Sequence, residues 1–89
     1  MATVRFTANV QRHVACPTIE IPGGTLRDVL DGYFQTIPAA RGYVLDDQGS
    51  LRQHMAAFID GRQIRDRGRL TDPVPGGAVI DIVQSLSGG

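Results

Sequence analysis

The chain contains no lysine and no tryptophan, and it has a single cysteine. All nine basic residues are arginines, so no side chain carries a primary amine. Cys16 is the sole cysteine, which excludes a disulfide within the chain. No apolar run approaches the ~20 residues of a membrane span, and the first residues lack the apolar core of a signal peptide. We therefore expect a cytoplasmic protein with no membrane partner.

The charge of the chain is balanced, because nine acidic residues offset nine basic ones. Zero net charge argues against a general electrostatic hold on nucleic acid. Four arginines crowd a short stretch: Arg62, Arg65, Arg67 and Arg69. Three aspartates dilute it: Asp60, Asp66 and Asp72. Charge runs are usually solvated faces, so we expect no nucleic-acid partner and keep Arg65 as a candidate contact with an acidic protein partner.

Catalytic and metal-binding motifs are missing from the sequence. His13 and His54 are far apart, with no metal-type spacing around either residue. Cys16 precedes Pro17 and has no recognisable redox or metal partner, so a structural thiol is the simpler interpretation. No nucleophile elbow, phosphate loop or paired-carboxylate motif is present. We expect no bound metal and no catalytic residue belonging to the chain itself.

Apolar and polar residues alternate in several short segments, a pattern typical of half-buried strands. The pattern predicts strands over residues 2–10, 18–21, 55–59 and 78–84. Gln11-Arg12-His13 fits a turn after the first strand. Asp60-Gly61 is a strong tight-turn signal, which predicts a short returning strand at 62–64.

One helix is predicted after Thr25, whose hydroxyl can cap the first free amides. Asp28 lies in the first turn, where a negative charge is favourable. The apolar residues that follow trace one helical face: Leu26, Val29, Leu30, Tyr33, Phe34 and Ile37. Pro38 should stop this helix. Residues 39–54 look irregular, with a possible extended piece at 43–45.

The predicted order is strand, strand, helix, strand, short strand, strand, within one domain over residues 1–89. A helix with one apolar face is most economically buried against a mixed sheet, which is an α+β arrangement. We expect four to five strands packed on one main helix, with the first and last strands as parallel centre strands.

This order, together with the final Gly88-Gly89, resembles the β-grasp, ubiquitin-like proteins, and most of all the ThiS/MoaD-type sulfur carriers. The resemblance covers nearly the whole chain and is most specific from Phe58 onward. Phe58 to Arg65 resembles the strand-turn-strand of the family, Leu70 to Val79 its next turn, and Val79 to Gly89 its final strand and tail. The departures are Pro75-Gly76-Gly77 in place of an acidic turn, the long segment 39–54, and Gln84-Ser85-Leu86-Ser87 before the glycines, where many members have small apolar residues.

The resemblance implies that Gly89 is the reactive residue. A ubiquitin-activating-type enzyme would use ATP to adenylate its carboxyl group. A sulfur donor (cysteine desulfurase, rhodanese or sulfide) would convert it to a thiocarboxylate, and a synthase of thiamine, molybdopterin, cysteine or siderophore type would take the sulfur. The chain itself would bind no permanent cofactor. Leu86, Ser87 and Gly88 would belong to a flexible tail over residues 85–89. Glycine has no Cβ, so the end of such a tail can thread a narrow channel.

A docking surface is expected on the sheet face opposite the helix. If Ile80 and Ile82 point inward, Asp81 and Val83 point outward, because sides alternate along a strand. Phe58 would also point outward if its neighbours are core, and would then form an apolar patch with Val83 and Leu86. A core position for Phe58 remains equally compatible with the sequence.

Two other functions fit the same residues. The chain could be a protein modifier joined to target amines through Gly89, although without lysine it cannot build lysine-linked chains of itself. It could also be a β-grasp binding module with an inert tail.

Overall fold

The computed structural model describes residues 1–12 and 14–84, and these contain five strands and three helices. The elements are β1 (Ala2–Phe6), α1 (Ala8–Gln11), β2 (Ile19–Ile21), α2 (Leu26–Thr36), α3 (Pro38–Val44), β3 (Met55–Ile59), β4 (Arg62–Gln63) and β5 (Val79–Gln84).

The strands form one mixed sheet in the order β2-β1-β5-β3-β4. Strands β1 and β5 run parallel in the middle, with Val4 opposite Ile80 and Phe6 opposite Ile82. The other pairs are antiparallel. A parallel pair needs a long crossover between its strands, and all the intervening elements of this chain supply it. The predicted α+β, β-grasp arrangement with central first and last strands is therefore confirmed.

Helix α2 covers one face of the sheet and forms the core with it. The Thr25 hydroxyl accepts a hydrogen bond from the backbone N–H of Asp28 at 3.2 Å, as the capping pattern predicts. The ring of Tyr33 lies 5.0 Å from the ring of Phe6 on β1, measured between centroids. Leu26, Val29, Leu30 and Tyr33 are fully buried. Helix α2 ends at Thr36, before Pro38, as predicted.

The hairpin of β3 and β4 is built by Asp60 and Gly61, which have φ angles of 50° and 83°. Two successive positive φ values are the requirement of a type I′ turn. Ile59 pairs with Arg62 and Phe58 pairs with Gln63 across this turn. The predicted turn and returning strand are confirmed, with β4 ending at Gln63.

The prediction of a strand over residues 2–10 is wrong beyond Phe6. The carbonyl of Thr7 accepts hydrogen bonds from the N–H groups of Val10 and Gln11, at 3.1 and 3.2 Å, which closes helix α1. This turn lets Val10 become fully buried. The alternation of apolar and polar residues extends through Ala8, but the burial of Val10 favours a helical turn over a longer strand. Gln11 is helical rather than a turn residue, and His13 lies outside the described residues.

The prediction that residues 39–54 are irregular is wrong for residues 39–44, which belong to α3, and holds for the residues between α3 and β3. Pro38 ends α2 but stands at the first position of α3, where its missing N–H costs nothing. Ala40 and Val44 are four residues apart on α3 and fully buried. The suggested extended piece at 43–45 is helical at its first two residues, and only Leu45 forms an isolated bridge, with Leu51.

Candidate functional site

The sheet face opposite α2 is formed by alternate residues of the central strands. On β5, Ile80 and Ile82 are fully buried against the helix side, whereas Asp81 and Val83 are partly exposed. This alternation follows from the period of two along a strand. The predicted inward and outward positions on β5 are confirmed.

Phe58 lies on the same outer face. Its neighbour Ala57 is fully buried, and Phe58 itself is partly exposed and directly opposite Asp81. Val83 lies opposite Ala56, so Phe58 and Val83 are diagonal neighbours on adjacent strands, within reach of each other's side chains. The outward alternative for Phe58 is therefore the correct one, and we call Phe58 and Val83 the outer apolar pair.

An ion pair borders the outer apolar pair and was missed in the sequence. Arg5 donates from Nε to Asp81 Oδ1 at 2.8 Å and from Nη2 to Oδ2 at 3.1 Å. Arg5 on β1 is directly opposite Asp81 on β5, so the parallel register creates the contact. The two side chains are 54% and 32% exposed, so the pair adds little stability. Combining the outward position of Asp81 with the alternation of Val4 and Phe6 could have predicted it.

Arg65 lies away from the outer apolar pair. It follows β4, is exposed, and its backbone N–H donates to Asp72 Oδ2 at 3.0 Å. Its side chain lines an open groove of about 700 Å³ beside β4. The structure therefore places Phe58 and Val83 together and Arg65 at the edge of the sheet.

The aspartates among the arginines hold the loop together. Asp66 accepts hydrogen bonds from the Thr71 hydroxyl at 2.5 Å and from the Arg69 N–H at 2.9 Å. The Thr71 hydroxyl first, and then backbone N–H groups, lower the pKa of Asp66. Asp60 Oδ1 accepts from the N–H of Val79 at 2.9 Å. These carboxylates organise the backbone as well as diluting the positive charge.

Cys16 belongs to the buried core and is 1% exposed. Burial raises the pKa of its thiol, while a hydrogen bond with Tyr33 opposes the shift. The Tyr33 hydroxyl donates to the Pro17 carbonyl at 2.7 Å. Burial, and then the neighbouring Cys16, raise the pKa of Tyr33 well above its usual range. A neutral, buried thiol fits the structural role that the sequence suggested.

The expected reactive end of the chain follows β5. Leu86, Ser87, Gly88 and Gly89 lie outside the described residues, and the predicted tail is not tested. Strand β5 is the central strand of the sheet, and its last described residue is Gln84. Within residues 1–12 and 14–84, no helix is long and apolar enough to cross a membrane, and no group of three or more His, Cys, Asp or Glu side chains could hold a metal ion. His54 instead packs edge-on against Tyr43, with ring centroids 6.4 Å apart.

Comparison with known proteins supports the assignment of the fold. No family model matches the chain, and no curated protein matches its sequence. Solved structures do match over nearly the full length. CysO of Mycobacterium tuberculosis has a TM-score of 0.81 and 17% identity, covering 97% of this chain and 100% of its own. The fold is that of the ubiquitin-like β-grasp proteins.

Two further β-grasp structures match equally well along their length. The small archaeal modifier protein 1 of Haloferax volcanii has a TM-score of 0.77 and 21% identity, covering 99% of this chain and 98% of its own. The BexX/CysO complex of Amycolatopsis orientalis contains a chain with a TM-score of 0.76 and 20% identity, with 100% of both chains covered. The resemblance to ThiS/MoaD-type proteins inferred from the sequence is thus confirmed at the level of the β-grasp fold.

Proposed function

We propose that the protein is a sulfur carrier whose Gly89 carboxyl group is adenylated and then converted to a thiocarboxylate. The observation that carries the proposal is the direct continuation of the central strand β5 into a segment that ends in Gly88-Gly89. Five residues separate Gln84 from the carboxyl group, and five extended residues span at most about 17 Å. A segment of that length can carry the Gly89 carboxyl group into the active site of a partner while the β-grasp domain stays outside.

The chemistry belongs to the partners, and the chain acts as their protein substrate. The Gly89 carboxylate attacks the α-phosphate of ATP and releases pyrophosphate, which gives an acyl-adenylate. Sulfide then attacks the acyl carbon and releases AMP, leaving the thiocarboxylate. If the donor is instead a persulfide on a cysteine desulfurase or rhodanese, an acyl disulfide forms, and a second thiol must cleave its S–S bond. The partner enzyme stabilises the developing oxyanion, and the chain provides the acyl group and a docking surface, in the cytoplasm.

The intact mass of the protein, isolated from its own cells without a C-terminal tag, tests this proposal. We expect a polypeptide whose last residue is Gly89. In a fraction of the molecules, one oxygen of Gly89 should be replaced by sulfur. Incubation with ATP, a sulfur donor and the adenylating enzymes of the same cells should increase that fraction. A mass that stays unmodified after this incubation would contradict the carrier function and favour a binding module.

A second candidate function is protein modification through Gly89. The observation in its favour is the close structural match to a protein named as a small archaeal modifier. Adenylation is common to both functions, and the products differ: a thiocarboxylate for the carrier, an isopeptide bond for the modifier. Discrete conjugates of higher mass, with Gly89 linked to a target amine, would favour the modifier.

Substitution of Phe58 by alanine should weaken docking to the adenylating enzyme. Phe58 is the aromatic member of the outer apolar pair, and aromatic anchors contribute most to such contacts. We expect the KM for this carrier in ATP–pyrophosphate exchange to rise about tenfold, with little change in kcat. Gln35→Ala on the exposed side of α2 serves as the matched control. Equal KM values for Phe58→Ala and wild type would exclude this face as the docking surface.

A further inference from the structure

Within residues 1–12 and 14–84, strand β4 has no neighbouring strand on its outer side. Ile64 N–H donates to the carbonyl of Ala57 on β3 at 3.0 Å, and Phe58 is opposite Gln63. Hydrogen-bonded and non-hydrogen-bonded pairs alternate along an antiparallel ladder. The N–H and C=O of Gln63 therefore point away from β3. Because β4 is the last strand of the sheet, they point out of the ladder altogether.

A groove of about 700 Å³ lies along this edge. Ile59 and Ile64 supply its apolar surface, and Pro73 and Pro75 line it from the loop before β5. Proline has no N–H, so neither Pro73 nor Pro75 can donate a backbone hydrogen bond to the outward C=O of Gln63. A groove with both apolar and charged walls beside a strand edge suits an extended peptide, whose backbone pairs with the edge while alternate side chains enter the groove.

The charges at the groove favour an acidic peptide. Arg62 and Arg65 are exposed, and within residues 1–12 and 14–84 neither guanidinium has an ion-pair or hydrogen-bond partner. The two aspartates of the groove are engaged by the chain itself: Asp60 accepts from Val79 N–H at 2.9 Å, and Asp72 accepts from Arg65 and Asp66 N–H at 3.0 and 2.8 Å. Asp60 and Asp72 keep their negative charge but already accept hydrogen bonds from the chain, so the guanidinium groups of Arg62 and Arg65 are the charged groups of the groove that are available to a ligand.

We propose that the groove beside β4 binds an extended acidic segment of a partner protein by strand addition at Gln63. Glutamate or aspartate side chains of the segment pair with Arg62 and Arg65, and its intervening apolar side chains contact Ile59 and Ile64. The groove adjoins the outer apolar pair, because Gln63 is the cross-strand neighbour of Phe58.

The test uses a fluorescent synthetic peptide of about eight residues that alternates glutamate and valine, with both ends blocked. Anisotropy should show saturable binding that weakens with added salt, and amide NMR shifts should map to β4 and to the loop that contains Pro73. The same peptide with lysine in place of glutamate should bind about tenfold more weakly or not at all.

Two kinds of variant separate charge from backbone pairing. Arg62→Gln and Arg65→Gln should each weaken peptide binding about two- to fivefold. The matched control is Arg41→Gln, at an exposed position of α3, which should leave binding unchanged. Gln63→Pro removes the outward N–H together with the exposed glutamine side chain, a change that an edge strand tolerates, and should weaken binding about fivefold while the unfolding midpoint is retained.

Several outcomes would overturn the proposal. These are equal binding of the lysine peptide, wild-type affinity in Gln63→Pro, or NMR shifts confined to the outer apolar pair. Concentration-dependent dimerisation that is lost in Gln63→Pro would show that a second copy of the chain occupies the edge, and would also overturn it.

Discussion

Deletion of Gly88 and Gly89 should abolish ATP-dependent thiocarboxylate formation while the β-grasp domain remains folded. Within residues 1–12 and 14–84, the buried core is formed by residues between Ala2 and Ile82. The reacting carboxylate, in contrast, would move back to Ser87, which carries a side chain. We expect no detectable thiocarboxylate by intact mass and an unfolding midpoint equal to that of the full chain.

Point substitutions sharpen this test, because glycine at the end of the chain has a specific physical role. Gly89→Ala adds a Cβ beside the reacting carbon and narrows the conformations that can thread a confined active site. Gly76→Ala is the matched control, since a Cβ there meets no atom within 4 Å and that glycine has no positive φ. We expect adenylation to fall strongly in Gly89→Ala and to be unchanged in Gly76→Ala. Equal activity in both variants would mean that the terminal glycine has no steric role.

The same deletion also discriminates among the three candidate functions. Both the carrier and the modifier need the Gly89 carboxylate, so both activities should disappear. A binding module with an inert tail would keep its partners. The product then distinguishes the remaining two, because a thiocarboxylate and an isopeptide differ in mass and in the residue to which Gly89 is joined.

The parts of the fold that were predictable from sequence are those in which local and tertiary signals agree. The Asp60-Gly61 turn demands positive φ, and the chain supplies residues that adopt it. Helix α2 has a capping Thr25 and a continuous apolar face that the sheet covers. The order of these elements was sufficient to infer the parallel β1/β5 pair.

The errors occurred where one local signal had two meanings. Pro38 both ends α2 and begins α3, and only the spacing of Ala40 and Val44 indicated the second role. Alternation through Ala8 extended the first strand too far, because a stretch of this length cannot distinguish a strand from one helical turn.

The candidate site was predictable in part for the same reason. Alternation placed Asp81 and Val83 on the outer face. Predicting which face Phe58 occupies, however, requires the register between β3 and β5. The residues next to Phe58 in sequence do not determine that register. The groove beside β4 depends on contacts between segments far apart in sequence, from Ile59 to Pro75, and no local pattern encodes it.

Alkaline pH should destabilise the domain through Tyr33. Its side chain is 0% exposed, and burial raises the pKa of the hydroxyl in the folded state above the value of about 10 in the unfolded chain. A raised pKa in the folded state means that the stability is complete below pH ~10 and is lost as pH rises toward the folded-state pKa. Through Tyr33 alone, we expect the free energy of unfolding to fall by about 1.4 kcal/mol for each pH unit from 10 toward the folded-state pKa.

The composition of the chain makes this effect unusually easy to isolate. There is no lysine, and the arginines stay charged throughout, so the usual background of amine titration near pH ~10 is absent. Chemical denaturation between pH ~8 and ~11, with tyrosinate absorbance recorded in parallel, measures the slope. A free energy of unfolding that is independent of pH across this range would contradict the prediction.

Two variants assign the slope to its source. Tyr33→Phe should flatten the pH dependence, at a cost of about 1 kcal/mol at neutral pH from the hydrogen bond to the Pro17 carbonyl. Cys16→Ala removes the neighbouring thiol, whose pKa burial also raises, so it should remove only the part of the slope that begins nearer pH ~8.5. If Cys16→Ala flattened the whole curve and Tyr33→Phe left it unchanged, the thiol rather than the phenol would control alkaline stability.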